Sequence, residues 1–116
     1  MHAELRKSGD VLIIAPREQR LDLSSAKAFR GKMVDWINEG HQWIVLDLQH
    51  VDFIDSSGLG VIVSCLKSLG GQDSVVLCNI REAVMSLFEL TRMNQVFKIF
   101  RSREEAVAAL SKSAGF

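Results

Sequence analysis

The chain has 116 residues, a length that fits one domain around one core and leaves no room for a second catalytic unit. Lys plus Arg and Asp plus Glu each total 14, so the formal net charge is zero, which excludes a general electrostatic grip on nucleic acid or an anionic membrane. Hydrophobic residues at 47% and charged residues at 24% exclude a disordered chain.

The elements follow in chain order. Residues 3–7 alternate loosely, Ser8-Gly9-Asp10 is a turn cluster, and Val11–Ala15 is β-branched and apolar; together they predict a hairpin. Pro16-Arg17-Glu18-Gln19-Arg20 is a polar loop. Leu21-Asp22-Leu23 leads into a helix over Ser24–Asn38, with Ser24 or Ser25 as its cap and Gly40 as its stop. Trp43–Leu48 is an almost unbroken apolar run, the pattern of a strand covered on both faces. Gln49–Asp55 is a loop anchored by Phe53-Ile54, and Ser57–Leu69 is a second helix ended by Gly70-Gly71. Ser74–Asn79 is a buried strand, Glu82–Leu90 a short helix, Val96–Phe100 an edge strand and Arg103–Ser111 a last helix. The order β-β-α-β-α-β-α-β-α gives one small α/β domain. It is a mixed sheet of about five strands with an N-terminal hairpin and about four helices, ordered over about residues 3–111.

No assembled active site is visible. His2, His41 and His50 are scattered over loops, and none pairs with a nucleophile or a metal-ligand motif. Cys65 and Cys78 sit in apolar runs with neither disulfide nor zinc spacing, so they read as buried, reduced thiols. Gly58-Leu59-Gly60 lacks the third glycine of a dinucleotide fingerprint, and no phosphate-cradle motif occurs. No cofactor, catalytic residue or metal ligand is expected. No apolar run approaches the ~20 residues that span a bilayer, and the first residues lack a signal-peptide core, so a cytoplasmic location without membrane insertion is expected.

The informative segment is Asp55-Ser56-Ser57-Gly58-Leu59-Gly60, between the exit of a buried strand and the start of a helix. Sites of open α/β sheets lie at the carboxyl ends of strands. Helix N-termini favour negative charge. Gly58 and Gly60 remove bulk, which would let another backbone or an enzyme approach closely. Plain N-capping explains the Asp and one Ser; it does not require two serines and two glycines.

This hexapeptide, followed by Val61-Ile62-Val63, resembles the signature of STAS domains, and within them the bacterial anti-sigma factor antagonists. The resemblance covers nearly the whole chain, with Leu21-Asp22, Ile44–Leu48, Leu87-Phe88 and Val96–Ile99 as further matches. It implies a single STAS domain over residues 1–116 that acts as a non-enzymatic, partner-switching protein. The implied partner is an anti-sigma factor that is also a serine kinase of the histidine-kinase-like ATPase fold; a PP2C-type phosphatase reverses the modification, and no direct contact with nucleic acid is implied. The implied phosphoacceptor is Ser56, with Ser57 as the competing target. Asp22, Asp55, Ser56, Ser57, Gly58, Leu59 and Gly60 match positions at the partner-binding site. The alternative is a constitutive STAS subunit of a signalling or transporter complex, without serine phosphorylation. Relatives have a shorter turn in place of Pro16–Arg20, so Arg17 and Arg20 are expected as rim charges that tune partner choice.

Overall fold

The computed structural model describes residues 1–71 and 73–113. Strands β1 (Ala3–Ser8) and β2 (Val11–Pro16) form the expected antiparallel hairpin. Then come β3 (Arg20–Leu21), α1 (Leu23–Asn38), β4 (Trp43–Asp47), β5 (Phe53–Ile54), α2 (Ser56–Ser68), β6 (Val75–Cys78), α3 (Glu82–Leu90), β7 (Ile99–Phe100) and α4 (Arg103–Ser113). The main sheet runs β1-β2-β4-β6-β7, parallel throughout except for the hairpin.

Alternation along the strands builds two cores. Leu12, Ile14, Ile44, Leu46, Val75 and Leu77 face one side with Phe29 and Met33 of α1, Ile62 and Leu66 of α2, and Val84 and Phe88 of α3. Val11, Ile13, Val45, Val76 and Cys78 face the other side, against Ala106 and Leu110 of α4. Both faces of β4 are therefore covered, which is why its sequence is so nearly apolar.

Several expectations need correction. Val96–Phe100 is not one strand. Residues Met93–Gln95 form a 3-10 turn, Val96 is exposed, and only Ile99–Phe100 pair with the sheet. Phe97 is instead pulled inward, where its ring meets Phe88 edge-on at 6.3 Å between centroids. The loop before α2 contains β5, which pairs with β3 as a second, two-stranded parallel sheet. Ile54 is buried there, but Phe53 is exposed. Neither Ser24 nor Ser25 is the cap of α1: that residue is Asp22, two residues before Ser24. Helix α2 starts at Ser56, one residue before the expected start, because Asp55 is its cap.

One polar network in the far core was not foreseen. The Asp47 carboxylate at the end of β4 is fully buried. Arg103 Nη2 approaches its Oδ2 at 2.9 Å and Asn79 Nδ2 donates to its Oδ1 at 3.1 Å, while the Gln49 backbone N–H adds a third bond at 3.1 Å. Arg103 also reaches Glu4 on β1, at 3.3 Å. The network pins the first turn of α4 to two strands of the sheet.

Removing Arg103 would leave the Asp47 charge buried without its cation, a loss that costs ~3–5 kcal/mol. The Glu4 contact is partly open to water, where an ion pair contributes ~0–1 kcal/mol. Urea denaturation is therefore expected to show Arg103→Ala destabilising the fold several-fold more than Glu4→Gln.

Candidate functional site

The site is built where two loops leave the carboxyl ends of β2 and β4. The loops are stitched together by backbone bonds. The Asp52 and Phe53 N–H groups both donate to the Gln19 carbonyl, at 2.8 and 3.2 Å, and the Asp55 N–H donates to the Leu21 carbonyl at 3.2 Å. Parallel pairing of Arg20 with Phe53 and of Leu21 with Ile54 completes the strip. As a result α1 and α2 begin side by side, each just past one strand of the same short sheet.

Asp55 joins the two helix starts. Its Oδ1 accepts from the Ser57 and Gly58 N–H groups of α2, at 2.8 and 3.1 Å. Its Oδ2 accepts from the Leu23 N–H of α1, at 3.0 Å. One carboxylate thus satisfies orphan donors of two helices at once. Asp22 caps α1 in its turn. Its Oδ1 accepts from the Ser24 N–H at 3.1 Å and the Ser24 hydroxyl at 2.6 Å, while the Ser25 hydroxyl accepts from the Asp22 N–H at 3.0 Å. Arg20 Nε donates to Asp22 Oδ2 at 3.1 Å, and the guanidinium lies over the Phe53 ring, 4.0 Å from its centroid.

Gly58 explains the fit. A Cβ at this position would fall on the Leu21 carbonyl oxygen and come within 2.8 Å of the Leu21 carbonyl carbon. Only a glycine lets α2 start this close to β3. Gly60 is different, since a Cβ there would meet nothing within 4 Å. Of the two glycines expected to let another backbone or an enzyme approach closely, Gly58 admits a backbone, that of Leu21 in the same chain.

The residues singled out from the sequence are gathered in one place but not on one surface. Ser56 is exposed as the first residue of α2. Asp22, Asp55, Ser57 and Gly60 are partly exposed, whereas Gly58 and Leu59 are buried and shape the surface from beneath. Leu23, exposed in the first turn of α1, and Phe53 were not anticipated as site residues. Their signal was available: an apolar residue directly after a capping Asp, and one beside a buried Ile in a short strand. Among the described residues, no cluster of His, Cys, Asp and Glu could hold a metal, and no helix is long and apolar enough to cross a membrane. Burial raises the thiols of Cys65 and Cys78, to about 11 and about 12. Both are buried, free and far from nucleophilic character.

The geometry agrees with what the comparisons find. The STAS domain pattern matches residues 2–106. The chain belongs to the STAS domain family. The anti-sigma-B factor antagonist of Bacillus subtilis is 32% identical over 88 residues, covering 75% of this chain and 80% of that one. The protein TM1081 of Thermotoga maritima is 32% identical, with a TM-score of 0.84 over 93% of both chains. The unphosphorylated anti-sigma factor antagonist SpoIIAA, at 20% identity, shares the fold with a TM-score of 0.76 over 99% of this chain and 98% of that one. Among STAS domains, then, this chain lies with the anti-sigma factor antagonists.

Two predictions follow from the caps and the glycine. Gly58→Ala forces α2 away from Leu21 and is expected to cost ~1–3 kcal/mol, the scale of an overpacked core. Gly60→Ala, inside the helix with free space around it, is expected to stabilise by up to ~1 kcal/mol. Denaturation midpoints measure both, and equal signs would contradict the geometry. The second prediction is a titration. The Ser24 hydroxyl first, then the Arg20 guanidinium, hold the Asp22 carboxyl down at about 2, from the usual 3.8. A depressed carboxyl stabilises the fold above its unfolded value and loses that contribution as pH falls. The Asp22 contribution should be complete above about 3.8 and vanish on acidification through about 2. Carboxyl-carbon NMR should show this midpoint, and Ser24→Ala should raise it.

Proposed function

We propose that this STAS protein is an anti-sigma factor antagonist of the partner-switching kind, with Ser56 as its switch. The unphosphorylated form binds an anti-sigma factor that is also a serine kinase of the histidine-kinase-like ATPase fold. The kinase transfers the γ-phosphoryl group of ATP to Ser56 Oγ: the terminal phosphoanhydride bond breaks, an O–P bond forms, and ADP and the hydroxyl proton leave. A PP2C-type phosphatase hydrolyses the ester and restores the binding form. The protein itself is not an enzyme in this cycle, and its place of action is the cytoplasm.

The observation that carries the reading is the exposure of Ser56 between two capped helix starts. Its neighbour Ser57 is partly covered, and the Ser57 N–H is already committed to Asp55. The partner surface is formed by Ser56 with the partly exposed Asp22, Asp55, Ser57 and Gly60, and by exposed Leu23, the side chain best placed to enter an apolar pocket.

The physical account of the switch rests on charge. A phosphate adds about −1.5 to −2 at pH 7. The start of a helix favours it by ~0.3–1 kcal/mol, and nearby carboxylates oppose it by similar amounts, so the fold tolerates it. A desolvated interface does not, because an unpaired buried charge costs several kcal/mol. A loss of ~3 kcal/mol weakens binding more than a hundredfold.

Calorimetry with the cognate kinase tests this. Ser56→Ala is expected to bind as the unmodified protein does, and Ser56→Asp to keep the fold and lose at least a hundredfold in affinity. Phosphopeptide mapping after incubation with kinase and ATP is expected to place the label on Ser56. Label on Ser57 would move the switch by one residue, and label on neither would favour a constitutive STAS subunit.

A further inference from the structure

Arg20 is placed unlike the other basic side chains of its loop. It stands in β3 opposite Phe53, three residues before Ser56, with its guanidinium stacked on the Phe53 ring. Its partner Asp22 opens α1, whose Leu23 N–H is held by Asp55, the residue directly before Ser56. A continuous chain of contacts therefore runs from the guanidinium to the switch serine. Among the described residues, Arg20 commits only Nε to a hydrogen bond, and its side chain is 59% exposed. An exposed ion pair of this kind contributes little and is easily exchanged.

Asp22 does not depend on Arg20 for its role. Its Oδ1 is held by the Ser24 N–H and the Ser24 hydroxyl, so the cap survives if the arginine leaves Oδ2. A phosphate dianion carries more charge than the carboxylate and presents paired oxygens that match the guanidinium fork. Its place over the Phe53 ring already restrains the guanidinium, which lowers the ordering cost of a new partner.

We propose that Arg20 is the built-in countercharge of the switch: when Ser56 carries phosphate, the guanidinium turns from Asp22 to the phosphate while staying stacked on Phe53. This rests on Ser56 as the modified residue. It adds a mechanism of regulation: the phosphate is tied down on the protein's own surface and only part of its charge is met, so the remaining charge and the desolvation of the pair still oppose a covering partner. Asp22 and Asp55 are the carboxylates bound into the two helix starts, and both act against the phosphate; Arg20 is the cation bonded into the same strip.

Phosphoserine can be placed at position 56 by genetic code expansion, without any kinase, and its second ionisation followed by phosphorus-31 NMR at low salt. In the otherwise unchanged protein that ionisation is expected below the value of the Arg20→Gln variant by roughly half a unit or more, as an adjacent cation stabilises the dianion. Arg17→Gln serves as the control, being an exposed charge of the same loop without a bond to Asp22. It is expected to leave the titration where it was. A smaller shift on Arg20→Gln, or an equal shift on Arg17→Gln, overturns the proposal. Circular dichroism of unphosphorylated Arg20→Gln is expected to match the parent; loss of the fold would also overturn it, since Arg20 would then be a structural residue. Because the phosphate is installed directly, this outcome is separate from whether a kinase selects Ser56, which the phosphopeptide mapping decides.

Discussion

The approach of α2 to the backbone of Leu21 is the constraint on which the site depends. No side chain could stand at position 58 without meeting the Leu21 carbonyl. The contact brings the first turn of α2 against the end of β3, and Asp55 then reaches donors on both helices. Each part supports the others. Without Gly58 the helix withdraws; without Asp55 three backbone N–H groups lose their acceptor, and those of Ser57 and Gly58 lie where water is only partly available to replace it. Backbone bonds from Asp52, Phe53 and Asp55 to the Gln19–Leu21 strip set the spacing within which this works. A surface of side chains from distant parts of the chain is thus held by main-chain geometry, which is rigid, and not by long side chains, which are not.

Much of this was legible because the sequence states it in local terms. The apolar run Trp43–Leu48 could only be a covered strand, and the hydrophobic spacing of Phe29, Met33, Ile62 and Leu66 marked the inner faces of α1 and α2. The exposed serine at the start of α2 was equally readable from Asp55-Ser56 after a strand. What was not readable depended on pairs far apart in the chain. That the backbone Gly58 admits is the one at Leu21 requires knowing that β3 and β5 lie together, and two-residue strands have no periodicity to announce them. The two serines after Asp22 looked like caps because Ser is a preferred cap residue. Asp22 won because its carboxylate offers acceptors to a backbone N–H and a hydroxyl together. Val96–Phe100 read as a strand from its composition, but Phe97 gains more by packing on Phe88 than the ladder would return.

The opposite face shows the same logic with charge. Asp47 interrupts the apolar run of β4, and its partner Arg103 lies 56 residues later, so neither announces the other in sequence. Asn79 completes the set from the end of β6 with φ of 54°, a left-handed conformation that Asn adopts more readily than most residues. This network fixes α4 against the sheet at the carboxyl ends of the strands, and Glu4 of β1 joins it through Arg103. The carboxyl of Glu4 is held at about 2 from 4.5 by its hydrogen bond to Arg103 first and Arg6 second. The polar core on one face and the capped helix starts on the other leave the sheet with little freedom to carry a change in shape.

On the function proposed above, that stiffness decides what kind of switch Ser56 would be. A device that worked by refolding would need an element with two arrangements of similar energy. The start of α2 is the opposite: its Ser57 and Gly58 N–H groups are already taken by Asp55, its backbone lies against Leu21, and its neighbour α1 is tied to the same carboxylate. A phosphate on Ser56 could not draw those N–H groups to itself without giving up the cap that orders both helices. The added charge must therefore be met by side chains at the surface or by solvent, and the change it makes is in the electrostatics of a fixed shape. The information then lies in whether a partner can cover the surface, not in whether the surface is formed. Specificity of this kind is a difference between two binding free energies, and the decisive term is the repulsive one: a contact designed around a neutral hydroxyl rejects the dianion.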